Sequence, residues 1–301
     1  MNNFASPTVV EEKLGELDCL RVRTPFSEAL IARQGGHLMR FQHHGQQPLV
    51  WLSDTTALEH GQAIRGGVPV CWPWFGDLTR SPESVRNTYV GTEPPFHGMV
   101  RTLDWQMQDP VIENNEVQLT FQLLLPQGLP NWPHPSELRL RLTIGQHLDM
   151  NLQTRNLGTT QLALTQALHT YFAVSDSREV SLRGFDGCTY LDAMDNWREK
   201  HQDGDIRFTE ETDRIYLGVG PTLSIDDPGW ERRIHLHTRQ SRSAIVWNPW
   251  INKAQRMPNF PDDAWQRMLC IETARMGEAD VLLIPPGAAH DMGVEIRVEN
   301  N

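Results

Sequence analysis

The sequence predicts an all-β protein, a large sandwich of mainly antiparallel strands, and three observations carry that prediction. Apolar residues alternate with polar ones at period two through the middle of the chain. Long helical periodicity is nearly absent, and 22 Gly and 20 Pro punctuate short apolar segments. Alternation marks half-buried strands because successive side chains leave a strand on opposite faces. Many short strands separated by turn residues imply a sandwich.

Taken in order, residues 1–14 are expected to form a loose N-terminal segment, and residues 20–23, 29–32 and 37–42 are short strand candidates. Residues 54–60 could hold a turn or two of helix. Val117, Leu119, Phe121, Leu123 and Leu125 then share one face, with Gln118, Thr120 and Gln122 on the other. Leu138, Leu140, Leu142 and Ile144 repeat the pattern around Arg139 and Arg141, and Leu148, Met150 and Leu152 alternate with Asp149, Asn151 and Gln153. Glu113-Asn114-Asn115-Glu116, Pro126-Gln127-Gly128 and Gly145-Gln146 supply the turns between them. Residues 180–182, 215–219, 233–237, 244–247 and 281–284 are further strand candidates, and 262–265 a second short helical one. No repeat, linker or low-complexity stretch divides the chain, so residues 1–301 are expected to form one domain.

Two segments break the pattern. Residues 65–76, RGGVPVCWPWFG, combine paired glycines, two prolines and three large aromatics. Residues 77–96 are polar and turn-rich, and a loop of that length in a compact domain is more often functional than idle. Its Arg80 and Arg86 could add cationic contacts to a ligand or could simply face water.

Composition excludes several functions. The 27 basic and 38 acidic side chains leave a net charge of −11, the wrong sign for nonspecific nucleic-acid binding. An anionic small molecule would need arginines gathered locally against that field. No run of about 18 apolar residues suggests a membrane span, and the first residues lack the basic start and apolar stretch of a secretory signal. Cys19, Cys71, Cys188 and Cys270 are widely spaced with no C-x-x-C pair, which suits reduced thiols in a cytoplasmic protein.

Histidine is the side chain that titrates near neutrality unaided. His43-His44 beside Gly45 suit a solvated turn. His235 and His237 share a strand face and could present two metal ligands, yet zinc sites want three or four, so a solvated face is the simpler expectation. His97 follows the long loop and precedes Gly98, a residue that lets a ligand approach the backbone. His169 and Glu272 each sit inside an apolar strand, where an ionisable group is costly unless paired or put to use. They form either a structural ion pair or an acid and a base facing one cleft. The Trp72, Trp74 and Phe75 cluster offers either an apolar face to a sugar or part of the core.

Arg65-Gly66-Gly67-Val68-Pro69, Trp72-Pro73-Trp74-Phe75-Gly76, His97-Gly98 with Arg101, His169-Thr170-Tyr171-Phe172, Thr212-Asp213-Arg214-Ile215-Tyr216, Val246-Trp247-Asn248-Pro249 and Cys270-Ile271-Glu272-Thr273 occur in that order. Together, from about residue 15 to about residue 298, they resemble the hexose-6-phosphate mutarotases (glucose-6-phosphate 1-epimerases) of the aldose 1-epimerase superfamily. That resemblance implies a galactose mutarotase-like β-supersandwich and interconversion of the anomers of a hexose 6-phosphate, with glucose 6-phosphate expected as substrate. It implies His169 as general acid and Glu272 as general base. It implies Arg65 and Arg101 at the phosphate end, His97 lining the same pocket, and Asp213 holding sugar hydroxyls. No cofactor or metal is implied, and a monomer with a small sugar phosphate as its partner is expected. Three departures border the phosphate end: a long stretch between Gly76 and His97, Phe96 in place of a small or polar residue, and Trp250 where glycine can stand. An epimerase of neutral sugars, a non-catalytic carbohydrate-binding sandwich and a metal-dependent enzyme of the cupin type, using His235 and His237, are the competing readings.

Overall fold

The computed structural model describes residues 6–300. Among the described residues strands dominate, and every strand pair is antiparallel. They form a four-stranded, a nine-stranded, an eight-stranded and a two-stranded sheet. The expected all-β supersandwich is therefore the observed architecture. Among the described residues no helix is long and apolar enough to cross a membrane.

The nine-stranded sheet carries the alternating segments. Phe121 pairs with Leu140, Leu140 with Leu152, and Leu152 with Met292, so one row of apolar side chains runs across four strands. All four are buried, while Arg139 and Arg141 between them are exposed. A shift of one residue in any pairing would expose such a row, and this is what pins the register. His235 and His237 lie on the strand Arg232–Arg239 of this sheet, where His235 Nε2 meets Glu299 at 2.8 Å. They lie on a different sheet from the site described below, His235 half-buried and His237 exposed, as the solvated-face expectation has it.

The N-terminal expectation needs correction. Thr8–Leu14 is a strand that pairs along its length with Leu17–Arg23. Gly15 makes the turn at φ 60°, a conformation that glycine adopts without steric cost. The backbone groups of this segment are satisfied by the hairpin, although its side chains are mostly exposed. Residues 1–5 of the supposed loose segment lie outside the described residues. Two helical expectations also shift. Residues 54–60 form turns, and the short helices are Glu83–Arg86 and Trp250–Ala254, each too brief to show periodicity. Within 262–265 the chain enters a 3₁₀ turn, Ala264–Gln266.

The eight-stranded sheet positions the site. Its central strands Ser243–Asn248 and Met268–Arg275 are buried on both faces. Ala244, Val246, Leu269 and Ile271 point into the main core, whereas Ile245, Trp247, Met268, Cys270 and Ala274 belong to a second cluster on the other face. Alternation places Glu272 with Cys270 and Ala274, on that second face.

Candidate active site

The register of this sheet lays out the floor of a cleft. One row runs Asp213, Trp247, Cys270, Tyr171 across adjacent strands. The neighbouring row runs Leu191, Ile215, Ile245, Glu272. His169 completes it. Leu168 pairs with Thr273 and Tyr171 with Cys270, so the register is the same on both sides of the gap between Gln166–Leu168 and Tyr171–Ala173. His169 therefore stands opposite Glu272. Its backbone N–H leaves the ladder to donate to the Pro69 carbonyl at 3.0 Å.

His169 Nδ1 and Glu272 Oε1 are 3.4 Å apart, with the two side chains 8% and 1% exposed. His169 Nδ1 and Glu272 Oε2 are buried without a hydrogen-bond partner. Burial pushes the imidazole down to about 3, with Arg101 and Arg65 adding to the effect. Burial also raises the carboxyl well above its ordinary value, helped by Asp213. Both shifts favour uncharged groups, so the pair rests as neutral imidazole and protonated carboxyl.

The walls come from loops. His97 lies 5.1 Å from His169, centroid to centroid, and His169 stacks on Tyr171 at 4.7 Å with the planes 6° apart. Gly76 N–H donates to His97 Nδ1 at 3.2 Å, so the neutral ring carries its proton on Nε2. Burial and the neighbouring His169 hold His97 well below its ordinary value. The His97 backbone has φ 65°, and Gly98 beside it has φ 75°. A Cβ on Gly98 would stand 2.1 Å from the Trp72 carbonyl oxygen. Only glycine allows this approach, which fixes the loop against the floor.

The enclosed space is about 290 Å³, lined by Arg65, Phe75, Arg80, His97, His169, Asp213, Trp247, Lys253 and Glu272 among others. That is near the lower end of ligand pockets, which run from roughly 300 to 1,000 Å³. Five of the six expected site residues are brought together here. Asp213 faces Lys253 Nζ at 3.8 Å, and burial lifts its carboxyl to about 6 even so.

Arg101 is the exception. It lies outside the cavity wall, and its Nη2 donates to the Phe96 carbonyl at 3.0 Å, bracing the turn that carries His97. Arg80 takes the opposite course. Asp77 caps the 3₁₀ turn Leu78–Arg80 by accepting from Thr79 N–H at 2.9 Å. The Arg80 guanidinium then lies over Trp197, 5.7 Å from the ring centroid, on the cavity wall. Arg86 instead donates to the Ser81 carbonyl at 2.7 Å. Trp72 and Trp74 are fully buried core residues, and Phe75 alone of that cluster faces the cavity.

Trp197, Trp247 and Lys253 were not singled out from the sequence. Trp247 carried a weak signal, being part of an ordered motif. Trp197 and Lys253 come from a turn and a short helix whose direction no periodicity reports.

A family model for aldose 1-epimerase matches residues 18–297. The chain belongs to the aldose 1-epimerase family. A protein of Escherichia coli strain K12, provisionally named a glucose-6-phosphate 1-epimerase, is 34% identical over 275 residues, covering 91% of this chain and 88% of that one. A Salmonella typhimurium relative with the same provisional name is 32% identical, over 89% of this chain and 86% of its own. A crystal structure of a provisionally assigned mutarotase from Salmonella typhimurium has a TM-score of 0.86 at 29% identity, covering 97% of this chain and 94% of that one. A galactose mutarotase-like protein from Clostridium acetobutylicum, at 13% identity and a TM-score of 0.75 over 98% of this chain and 99% of its own, shares the fold. The epimerase is thus an isomerase built on the galactose mutarotase-like sandwich.

Proposed function

We propose that the epimerase interconverts the α and β anomers of a hexose 6-phosphate, with glucose 6-phosphate as the substrate to test first. The observation that carries this reading is the buried His169–Glu272 pair, 3.4 Å apart at the floor of a cavity sized for a sugar. Relatives provisionally named for glucose 6-phosphate support the substrate. The whole chain acts as one domain and as a monomer in the cytoplasm in this account.

Anomer exchange opens and recloses a cyclic hemiacetal. The ring oxygen gains a proton as the anomeric hydroxyl loses one, so one acid and one base are sufficient and their joint proton count never changes. Burial favours keeping the shared proton on Glu272. Sugar hydroxyls donating to the unpartnered Glu272 Oε2 favour the carboxylate, because hydrogen bonds to a charged form stabilise it. The proton then passes to His169, which delivers it to the ring oxygen while Glu272 accepts the hydroxyl proton. Rotation about the C1–C2 bond presents the other aldehyde face, and the two transfers reverse. Each positioned transfer contributes about 10²–10⁴-fold. His97, uncharged and carrying its proton on Nε2, supplies a neutral donor, and Asp213 holds sugar hydroxyls.

Arg65 and Arg80 on the wall are the phosphate-reading cations in this proposal, with Lys253 as a third positive charge. A hydrogen bond to a charged group contributes about 1.5–3 kcal/mol, so two arginines discriminate a phosphorylated from a neutral sugar by roughly a hundredfold or more. One observation favours a second reading, a neutral aldose: Arg101 is turned onto the Phe96 carbonyl and not into the cavity. Anomer-exchange rates on glucose 6-phosphate and glucose separate the two. A higher kcat/KM for the phosphate ester supports the first reading, and a preference for glucose overturns it.

A further inference from the structure

We propose that His169, Cys270 and Glu272 form a three-ligand site for a divalent transition-metal cation of the zinc type, and that metal bound there blocks the epimerase. Imidazole, thiolate and carboxylate are the side-chain groups that bind zinc. Cys270 and Glu272 are two apart on the strand Met268–Arg275, so both leave the same face of the sheet, and His169 faces Glu272 across the register. One ligand atom from each lies within 4.8 Å of the other two.

The distances suit coordination. Nitrogen and oxygen ligands held about 2.0–2.1 Å from a tetrahedral zinc stand about 3.4 Å apart. His169 Nδ1 and Glu272 Oε1 already have that separation, 3.4 Å. A sulfur at about 2.3 Å from the same ion lies about 3.6 Å from each, so from a separation within 4.8 Å Cys270 needs to approach by about 1.2 Å at most. His169 Nδ1 and Glu272 Oε2 are buried polar atoms without partners, and Cys270 is a buried free thiol. A sugar ring satisfies the first two groups as well. The thiol has no task in anomer exchange, and a metal ion is the ligand that uses all three.

Charge balance also favours the assembly. Starting from a neutral imidazole, a protonated carboxyl and a thiol, binding of M²⁺ releases the carboxyl and thiol protons to solvent. The product, one dication with one carboxylate, one thiolate and one imidazole, carries no net charge, which a buried site tolerates. Besides Glu272, Arg65 and Asp213 act on Cys270 with opposite signs and offset one another. His169 and Glu272 both line the sugar cavity. Metal therefore occupies the acid–base pair itself and competes with substrate.

The metal-binding half of this proposal is independent of the sugar chemistry, and only the inhibition rests on the anomer-exchange reading. The test is titration of the purified full-length chain with Co²⁺, followed by displacement with Zn²⁺. Thiolate-to-cobalt charge transfer and tetrahedral ligand-field bands saturating at one equivalent are expected. Cys270→Ala abolishes the charge-transfer band and weakens binding at least about tenfold, whereas Cys71→Ala leaves the band in place. His169→Asn, whose ring borders the cavity, serves as a second variant should Cys270→Ala fail to fold. Zn²⁺ is expected to inhibit anomer exchange competitively with sugar, and a chelator to restore it. Absence of stoichiometric bands, or bands that survive Cys270→Ala or His169→Asn, overturns the site. Stoichiometric binding that leaves the metal-free protein's anomer-exchange rate undisturbed overturns the block while the site stands.

Discussion

The His169 ring nitrogen and the Glu272 carboxyl oxygen stand 3.4 Å apart because the strands that carry them keep one register across an interruption in the ladder. The interruption frees His169 from the sheet's own pairing, and the unbroken register still delivers it to the carboxyl. Two groups that burial makes expensive are thereby held where a sugar can satisfy them.

His169→Asn and Glu272→Gln are each expected to lower kcat by about 10²–10⁴-fold with the far-ultraviolet circular dichroism unchanged. The measurement is anomer exchange on the folded variants. Near-normal turnover in either would remove the acid–base pair from the mechanism.

The pH–rate profile should show no inflection from His169 at the ordinary histidine value. Burial sends His169 down to about 3 and raises Glu272, so between the two the pair holds one proton in total. Any inflection near pH 6 is expected to come from the Asp213 carboxyl, and activity falls where the raised Glu272 carboxyl finally ionises. A sigmoid centred near pH 6.5 that persists in Asp213→Asn would show that an ordinary, solvated histidine controls the rate, since the Asp213 carboxyl itself sits at about 6.

Stability should move in the opposite sense to activity in Glu272→Gln. Above pH 4.5 the unfolded chain releases this proton while the native protein keeps it, so the contribution of Glu272 to wild-type stability falls as pH rises. Glutamine lacks that slope. The variant is expected to be more stable by about 1–3 kcal/mol at neutral pH, with the gap closing towards pH 4. Denaturant titrations at several pH values check it, and a gap independent of pH contradicts the buried-carboxyl account.

Arg65→Ala and Arg101→Ala should separate. Arg65 lines the cavity, so its loss raises KM for glucose 6-phosphate more than for glucose, by roughly tenfold or more. Arg101 braces the Phe96 carbonyl, so its loss affects both sugars alike. A phosphate-selective defect in Arg101→Ala would place its guanidinium on the substrate.

Gly98→Ala is expected to cost about 1–3 kcal/mol. The added Cβ meets the Trp72 carbonyl oxygen at 2.1 Å, and φ is 75°. Thermal unfolding reports the loss, and the displaced His97 loop lowers turnover with it.

Much of this was legible in the sequence. Phe121, Leu140 and Leu152 announced their strands because only one side of that sheet is buried. His169 and Glu272 stood out as ionisable groups in apolar strands. The strands Ser243–Asn248 and Met268–Arg275 read simply as apolar, since both faces are covered and alternation vanishes. Side-chain direction in loops was not legible at all. Arg80 turns onto Trp197 and into the cavity while Arg101 turns onto a carbonyl, and nothing in the neighbouring residues distinguishes the two. The Thr8–Leu14 hairpin was missed because its mostly exposed side chains leave no apolar pattern.

The most direct measurement of the central claim is magnetisation transfer between the anomeric protons of glucose 6-phosphate in the presence of the enzyme. The account predicts exchange well above the spontaneous rate with the wild-type chain and a return close to that rate with His169→Asn and with Glu272→Gln. Exchange that is no faster than in buffer, or equally fast with either variant, would contradict it.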